Sequence, residues 1–273
     1  MVNNIPKLIF IIPYRDRENE KTHFSIYMKY ILEDIPDLNY EIYYSHQIDN
    51  RPFNRGAVKN IGFLVMKEKY PNDYKNITFV FNDIDTIPTK KNMFNYITTK
   101  GKVKHFYGFT FALGGIFSII GEDFEKCNGF PNIYGWGIED NEMQRRVEEK
   151  NMKIDRSQFH IINSKNIIQI YDSPNRIISN RTPGDYMKRK LVDNLNQIRD
   201  LKYNIELNNE NTKNFNKTNE FMINITNFNT LNNPSNDRYY VQNIFEDSKL
   251  KTNALDKTEA RHRWNMNKIF IKQ

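Results

Sequence analysis

The sequence predicts an α/β fold: a central, mostly parallel sheet flanked by helices. Two observations carry this. From Lys7 to Pro88 the chain alternates strand, helix, strand, helix, strand, the pattern of a parallel sheet covered on both faces. The charged residues also fall at the turns between these elements, with Arg15 and Arg17 after the first strand, Arg55 before the second helix, and Asp83 and Asp85 after the third strand. In such a fold those turns share one edge of the sheet, where open α/β proteins hold ligands.

The elements follow in order. Lys7 to Ile12 is a first strand stopped by Pro13. Phe24, Tyr27, Met28 and Ile31 recur at i, i+3, i+4 and i+7, which predicts an amphipathic helix ending near Pro36. Tyr40 to Tyr44 is β-rich, and a second helix follows Phe53-Asn54-Arg55, with Ile61, Leu64 and Val65 as its stripe and Pro71 beyond its end. Phe79 to Phe81 then form the central strand, and Pro88 closes the segment FVFNDIDTIP. With an extended backbone Asp83 and Asp85 share a face. Paired oxygen donors of this kind suit hard divalent cations, which are often shared with substrate phosphates. Taken alone, D-x-D reads more often as a solvated Asx turn. Arginine forks at the same edge, suited to phosphate oxygens, shift the balance.

Past the central strand, Asn92 to Thr98 reads as a short helix and Phe106 to Phe111 as an aromatic strand or loop. Gly114-Gly115 precedes a strand at Ile116 to Ile120; paired glycines permit a close backbone approach or a bulge. In Asn128 to Arg146, NGFPNIYGWGIEDNEMQRR, Trp136 lies between Gly135 and Gly137, a π-face on a bendable loop. Glu139 and Asp140 open a helix running to about Lys150, a place where the helix dipole alone already favours acidic residues. Strands are expected at Phe159 to Ile162 and Ile167 to Tyr171, with Asp172 at the strand end. A helix is expected at Pro183 to Arg199 on Met187, Leu191, Leu195 and Ile198, then strands at Tyr203 to Leu207 and Phe221 to Ile225 around the polar loop Asn208 to Asn219. LNNPSND reads as a linker, which divides a domain over 1–231 from a C-terminal extension over 232–273.

Composition narrows the partners. A net charge of +7 favours anionic ligands, but the basic residues are scattered and match no nucleic-acid module, so no specific nucleic-acid partner is expected. No apolar run approaches the ~20 residues of a membrane span, and the N-terminus lacks the zones of a signal peptide. The single cysteine, Cys127, excludes an internal disulfide and fits a reducing, cytoplasmic compartment. The histidines show no H-x-x-x-H spacing.

Five motifs in fixed order resemble the β-1,4-galactosyltransferases and related enzymes of glycosyltransferase family 7: IPYRDR at Ile12 to Arg17, FNRGAVKNIG at Phe53 to Gly62, FVFNDIDTIP at Phe79 to Pro88, Gly114-Gly115, and NGFPNIYGWGIED at Asn128 to Asp140. One such motif is weak evidence; five at compatible spacing are specific. The resemblance covers Lys7 to Asp172 well and extends faintly to Phe228. It implies a GT-A type fold, a UDP-sugar donor, a glycan or sugar acceptor, Mn²⁺ or another divalent cation such as Mg²⁺, and inversion at the anomeric carbon. By motif position it implies donor contacts from Pro13, Arg15, Arg17, Phe53, Arg55, Asp83, Ile84 and Gly115, with Trp136 on a mobile lid. Asp85 would hold the metal, and Glu139 and Asp140 the acceptor, with Asp140 as general base.

The departures matter. Where the family has a metal-binding His, this chain offers Gln169, Tyr171 or Asp172; Asp172 is the preferred replacement as an anionic oxygen donor, and His160 is the second choice. Ala112 stands where galactose-using members carry Tyr, which leaves room for an N-acetyl group on the donor. Ile138 replaces a family glycine. Vertebrate members are anchored and disulfide-bonded, so a cytosolic, microbial or viral setting is expected. The competing reading is a non-catalytic carbohydrate or nucleotide-sugar binding protein with a degenerate metal site.

Overall fold

The computed structural model describes residues 5–36, 39–170, 175–179, 193–207, 219–236 and 238–243. The first half runs β1 (Leu8–Tyr14), α1 (Glu18–Ile31), β2 (Tyr40–Gln47), α2 (Arg55–Lys69), β3 (Thr78–Asn82), β4 (Thr86–Pro88), β5 (Lys102–Gly108) and β6 (Ile116–Ile120). Then come α3 (Gly121–Lys126), α4 (Glu139–Glu149), β7 (Lys153–Asp155), β8 (His160–Ile161), β9 (Ile167–Gln169), β10 (Asn175–Ser179), β11 (Arg199–Leu207), β12 (Glu220–Asn229) and β13 (Tyr239–Asn243).

A mixed sheet has the order β11-β12-β2-β1-β3-β6-β5-β7, with β8 also on β5. β1 is parallel to both β2 and β3, and β12 is parallel to β2. β6 runs antiparallel to β3 and β5. Successive side chains of the central strands point to opposite faces. Ile9, Ile11, Tyr43, Phe79 and Phe81 therefore meet α2, α3 and α4 through Ala57, Val58, Ile61, Phe124, Met143 and Val147. Leu8, Phe10, Ile12, Ile42, Tyr44 and Val80 meet α1 through Phe24, Met28 and Ile31. Each of the buried Val, Leu, Ile, Phe and Met side chains among these contributes about 1.5–3 kcal/mol; Phe79→Ala, at the centre of the first face, would cost about 3–5 kcal/mol.

Several expectations need correction. β1 continues through Pro13 to Tyr14, because pairing with β3 has already ended at Ile11↔Phe81 and the missing proline N–H falls beyond it. α1 starts at Glu18 and ends at Ile31 rather than near Pro36, with the N–H of Leu32 closing on Met28 O. Its stripe keeps Phe24, Met28 and Ile31, while Tyr27 is exposed. Asn92 to Thr98 is not helical. Phe94, Tyr96 and Thr98 are buried and Asn95 and Ile97 exposed, the period of an extended chain.

β4 pairs antiparallel with β9 through Thr86↔Gln169, a clip that the sequence pattern did not suggest. The expected helix over Pro183 to Arg199 lies largely outside the described residues; its described end is a short 3-10 turn, Leu195–Gln197, and Arg199 already opens β11. Tyr171, Asp172 and residues 208–218 also lie outside them. β13 pairs with β10. Among the described residues no helix is long and apolar enough to cross a membrane.

Candidate active site

At β1 the sheet order turns back, with β2 on one side and β3 on the other, and such switch points hold ligands at the strand carboxyl ends. Arg55 opens α2 there, after Asn54 caps the helix by accepting the Ala57 N–H at 2.9 Å. Arg55 Nη1 donates to Glu139 Oε1 at 2.5 Å and to Asp140 Oδ2 at 2.8 Å, and Nη2 donates to Asp83. One helical turn on, Lys59 Nζ donates to Asp140 Oδ1 at 2.9 Å. The end of β3, the start of α2 and the first turn of α4 are thus tied into one cluster of opposite charges.

The electrostatics follow from that geometry. Burial would push the Asp140 carboxyl up, but Arg55 and Lys59 outweigh it and hold the group below its ordinary value, ionised. Burial also opposes the charge on Arg55, and Asp140, Asp83 and Glu139 overcome it, so the guanidinium stays protonated. Removing Arg55 would strand these acids, a loss of about 3–5 kcal/mol.

Asp83 and Asp85 do not share an extended strand. Thr86 N–H donates to Asp83 O at 3.1 Å, so the two acids flank a tight turn. Asp85 accepts from Thr86 Oγ1 at 3.0 Å, and its backbone carbonyl accepts from Ile170 N–H at 2.8 Å. Burial first, and the charge of Asp83 second, push the Asp85 carboxyl up to about 6. Two mutually repelling carboxylates with oxygen donors fit a divalent cation, whose charge would relieve both strains. No group of three or more His, Cys, Asp or Glu side chains poised for a metal occurs among the described residues. His160 does not join the pair: its ring lies 5.8 Å from that of Phe94 and its Nδ1 is 3.4 Å from Ser164 Oγ. Asp172 lies outside the described residues.

The glycine pair supports the acids. Gly115 O accepts from Asp83 N–H at 2.9 Å, and Leu113 N–H donates to Asp140 O at 3.0 Å. A Cβ on Gly114 would lie 2.5 Å from Asp140 Oδ2; one on Gly115, at φ +69°, would lie 2.4 Å from Tyr107 O. Under this loop His105 is fully buried. Arg156 Nε donates to its Nδ1 at 3.2 Å, which leaves the proton on Nε2 to reach Tyr107 O at 3.0 Å and Gly114 O at 3.2 Å.

The other predicted residues are placed as follows. Pro13 is buried in β1. Arg15 donates to Arg51 O and pairs with Asp16, and Arg17 pairs with Glu20 at 3.4 Å while its charge also acts on Asp85. Phe53 O accepts from Gly135 N–H at 3.0 Å, which ties the loop before α2 to the tryptophan loop. Ile84 is 6 % exposed and packs into the α1-side core. Trp136 is 54 % exposed, and its backbone N–H donates to Ile177 O at 2.8 Å. Ile138, directly before the acidic pair, adopts φ 76°, a strained conformation for a β-branched residue that a glycine would relieve.

Sequence reasoning missed Lys59, His105 and Arg51. The Arg51 guanidinium lies 4.3 Å from the Phe228 ring and donates to Tyr134 OH at 2.7 Å. A lysine inside the apolar stretch Ala57 to Val65 was the available signal for Lys59.

Comparisons with known proteins give the chain's family and fold. Residues 3–97 match the family model for the N-terminal region of glycosyl transferase group 7, and residues 98–171 match one described as the N-terminal domain of galactosyltransferase. The chain is 33% identical over 163 residues to beta-1,4-galactosyltransferase 4 of Cricetulus griseus, covering 56% of this chain and 45% of that protein. It is 29% identical over 179 residues to xylosylprotein 4-beta-galactosyltransferase of Caenorhabditis elegans, covering 62% and 60%. The chain therefore spans about half the length of the curated relatives it matches. In fold it is similar to the catalytic domain of Drosophila beta1,4galactosyltransferase 7 in complex with xylobiose, at TM-score 0.63 and 22% identity over 81% of this chain and 94% of that one. A mutant of that protein, at TM-score 0.63 and 21% identity, is in complex with manganese, UDP-Gal and xylobiose. These relatives are animal proteins and give no support to a microbial or viral setting.

Proposed function

The chain belongs to the glycosyl transferase group 7 family, and from that premise we propose that it is a metal-dependent inverting transferase acting on a UDP-sugar. It moves a hexose or N-acetylhexosamine to a hydroxyl of a sugar or glycan acceptor. The observation that carries the reading is Arg55, whose one guanidinium collects Asp83, Glu139 and Asp140 at the sheet's switch point.

Asp140 is the general base: its ionised carboxylate takes the acceptor hydroxyl proton while the hydroxyl oxygen bonds to the anomeric carbon and the bond to UDP breaks, its electrons leaving with the diphosphate. Glu139 holds the acceptor beside it. Arg15, Arg17 and Arg55 face the diphosphate and stabilise its growing charge; Pro13, Phe53, Asp83, Ile84 and Gly115 complete the donor side, and Trp136 covers it. Asp85 would hold the cation, with Asp172 as a further ligand, and that cation would supply positive charge toward the departing diphosphate. The manganese and UDP-Gal bound by the Drosophila protein support a divalent cation and a UDP-sugar as ligands. The catalytic unit is assigned to 1–231, with 232–273 as an extension. A cytoplasmic setting rests on Cys127, the single cysteine, which is buried.

The test is incubation with Mn²⁺ and a panel of UDP-sugars, scoring UDP release with and without sugar acceptors. Acceptor-dependent release supports the reading. Tight UDP binding with no release on any pair would favour a binding protein instead.

A further inference from the structure

We propose that Lys59 is a positioning residue for the transfer reaction: it fixes Oδ1 of Asp140, so that Oδ2 is the oxygen presented to the acceptor hydroxyl. This rests on the reading of Asp140 as the base.

The position is an unusual one for a lysine. Lys59 is 1 % exposed, in the middle of α2 where Gly56 to Phe63 are all buried. An ammonium taken from water is costly unless it is paired, and an aliphatic side chain would fill the same space without that cost. Its ammonium meets Asp140 Oδ1 at 2.9 Å and the face of the Phe130 ring at 4.5 Å. The interaction that offsets desolvation is therefore with the carboxylate, helped by a cation–π contact.

The two oxygens of Asp140 have different surroundings. Oδ1 faces Lys59. Oδ2 faces Arg55 Nη1 at 2.8 Å and the bare Cα of Gly114, where a methyl group would approach to 2.5 Å. The charged and titratable groups around this carboxylate are Lys59 and Arg55 from α2, Asp83 from the end of β3, Glu139 beside it on α4 and, at longer range, His105 from β5. Arg55 is shared among three acids, and on the proposed function it also meets the donor diphosphate. A diphosphate that draws Arg55 away leaves Oδ2 without its partner and open to an acceptor hydroxyl. Lys59 has no such competitor, so it stays on Oδ1 and keeps the carboxylate ionised and oriented. Positioning of this kind carries large rate effects, since a displacement of about 1 Å costs on the order of 10²-fold.

The experiment compares the wild-type chain, Lys59→Met, Lys59→Gln and Asp140→Asn with Mn²⁺, a UDP-sugar and an acceptor. Lys59→Met is expected to lower kcat about tenfold or more, with donor KM and UDP affinity within about twofold of wild type. The acidic limb of its kcat/KM profile moves to higher pH, because the carboxylate has lost a cation. Lys59→Gln, which keeps a donor for Oδ1, recovers part of kcat. A purely structural lysine would shift the melting temperature and leave the pH limb in place. Wild-type kcat and pH limb in Lys59→Met, or a loss confined to donor KM, would overturn the proposal; if Lys59→Met fails to fold, the same comparison is made on Lys59→Gln. Failure of the underlying reading looks different: Asp140→Asn would then turn over at the wild-type rate.

Discussion

Arg55 and Asp140, 85 positions apart in the chain, are joined by a 2.8 Å hydrogen bond from Nη1 to Oδ2. Because the same guanidinium also holds Asp83 and Glu139, a change at any one of these acids is felt by the others through Arg55. The predictions below separate their roles.

Asp140→Asn keeps the shape of the side chain and an oxygen for Lys59 or Arg55 but cannot accept the acceptor proton. Sugar transfer is expected to fall about 10²–10⁴-fold, while calorimetry finds UDP affinity within about twofold of wild type. Retained turnover would refute the base assignment.

Asp85→Ala removes the half-buried carboxylate that shares its turn with Asp83. UDP affinity in Mn²⁺ should drop to the value measured with EDTA. In the wild type, the benefit of Mn²⁺ to UDP binding should weaken as pH falls through about 6, since a protonated Asp85 is no ligand. Unchanged affinity in Asp85→Ala would remove it from the metal site.

Gly114→Ala places a methyl group 2.5 Å from Asp140 Oδ2. Since both carboxylate oxygens are held by Lys59 and Arg55, the clash is relieved only by breaking one of those contacts. Transfer should fall by about 10²-fold, and the melting temperature should drop as well, because an ionic contact of a largely buried group is lost. An active Gly114→Ala enzyme would show that this carboxylate tolerates displacement.

His105 gives a stability signature. Burial first, then the charge of Arg156, push its imidazole down to about 4. In the unfolded chain it titrates near 6.5, so between these values the unfolded state binds the extra proton and stability falls as pH drops. The loss reaches about 3 kcal/mol below pH 4. Chemical denaturation from pH 7 to 4 should show this slope, and His105→Gln should flatten it by comparison. Parallel curves for the two proteins would contradict the assignment.

Ala112 is buried two residues before the glycine pair. If its small side chain leaves room for an N-acetyl group, Ala112→Tyr should lower the ratio of kcat/KM for UDP-N-acetylhexosamine over UDP-hexose by about tenfold or more. A ratio that does not move would place donor selection elsewhere.

Elements with a clean pattern were legible in the sequence. The apolar run Ile116–Ile120 is a strand over that span, and the acidic start at Glu139 opens a helix ending one residue from the expected place. The five motifs likewise led to Arg55, Asp83, Glu139 and Asp140, which the fold brings together. What was illegible depends on contacts between distant segments. Phe94 and Tyr96 pack side by side because β5 and α1 border them, which forces an extended chain on a stretch read as helix. The turn at Asp83 is held by the carbonyl of Gly115 and by the β4–β9 clip, so local propensity could not show it. Lys59 escaped because α2 is buried around most of its circumference, and a reading that looks for one apolar stripe consigns lysine to solvent.

The parallel seam between β2 and β12 has a consequence for making this protein. Glu220 to Ile225 register against Ile42 to Gln47, so β2 stays a bare edge until ribosomes have delivered most of the chain. A fragment stopped at residue 171, where the family match ends, would expose that unpaired ladder next to Tyr43 and Tyr44, an invitation to intermolecular strand addition and precipitation. Recombinant versions should therefore retain Asn229 and the strand that it ends.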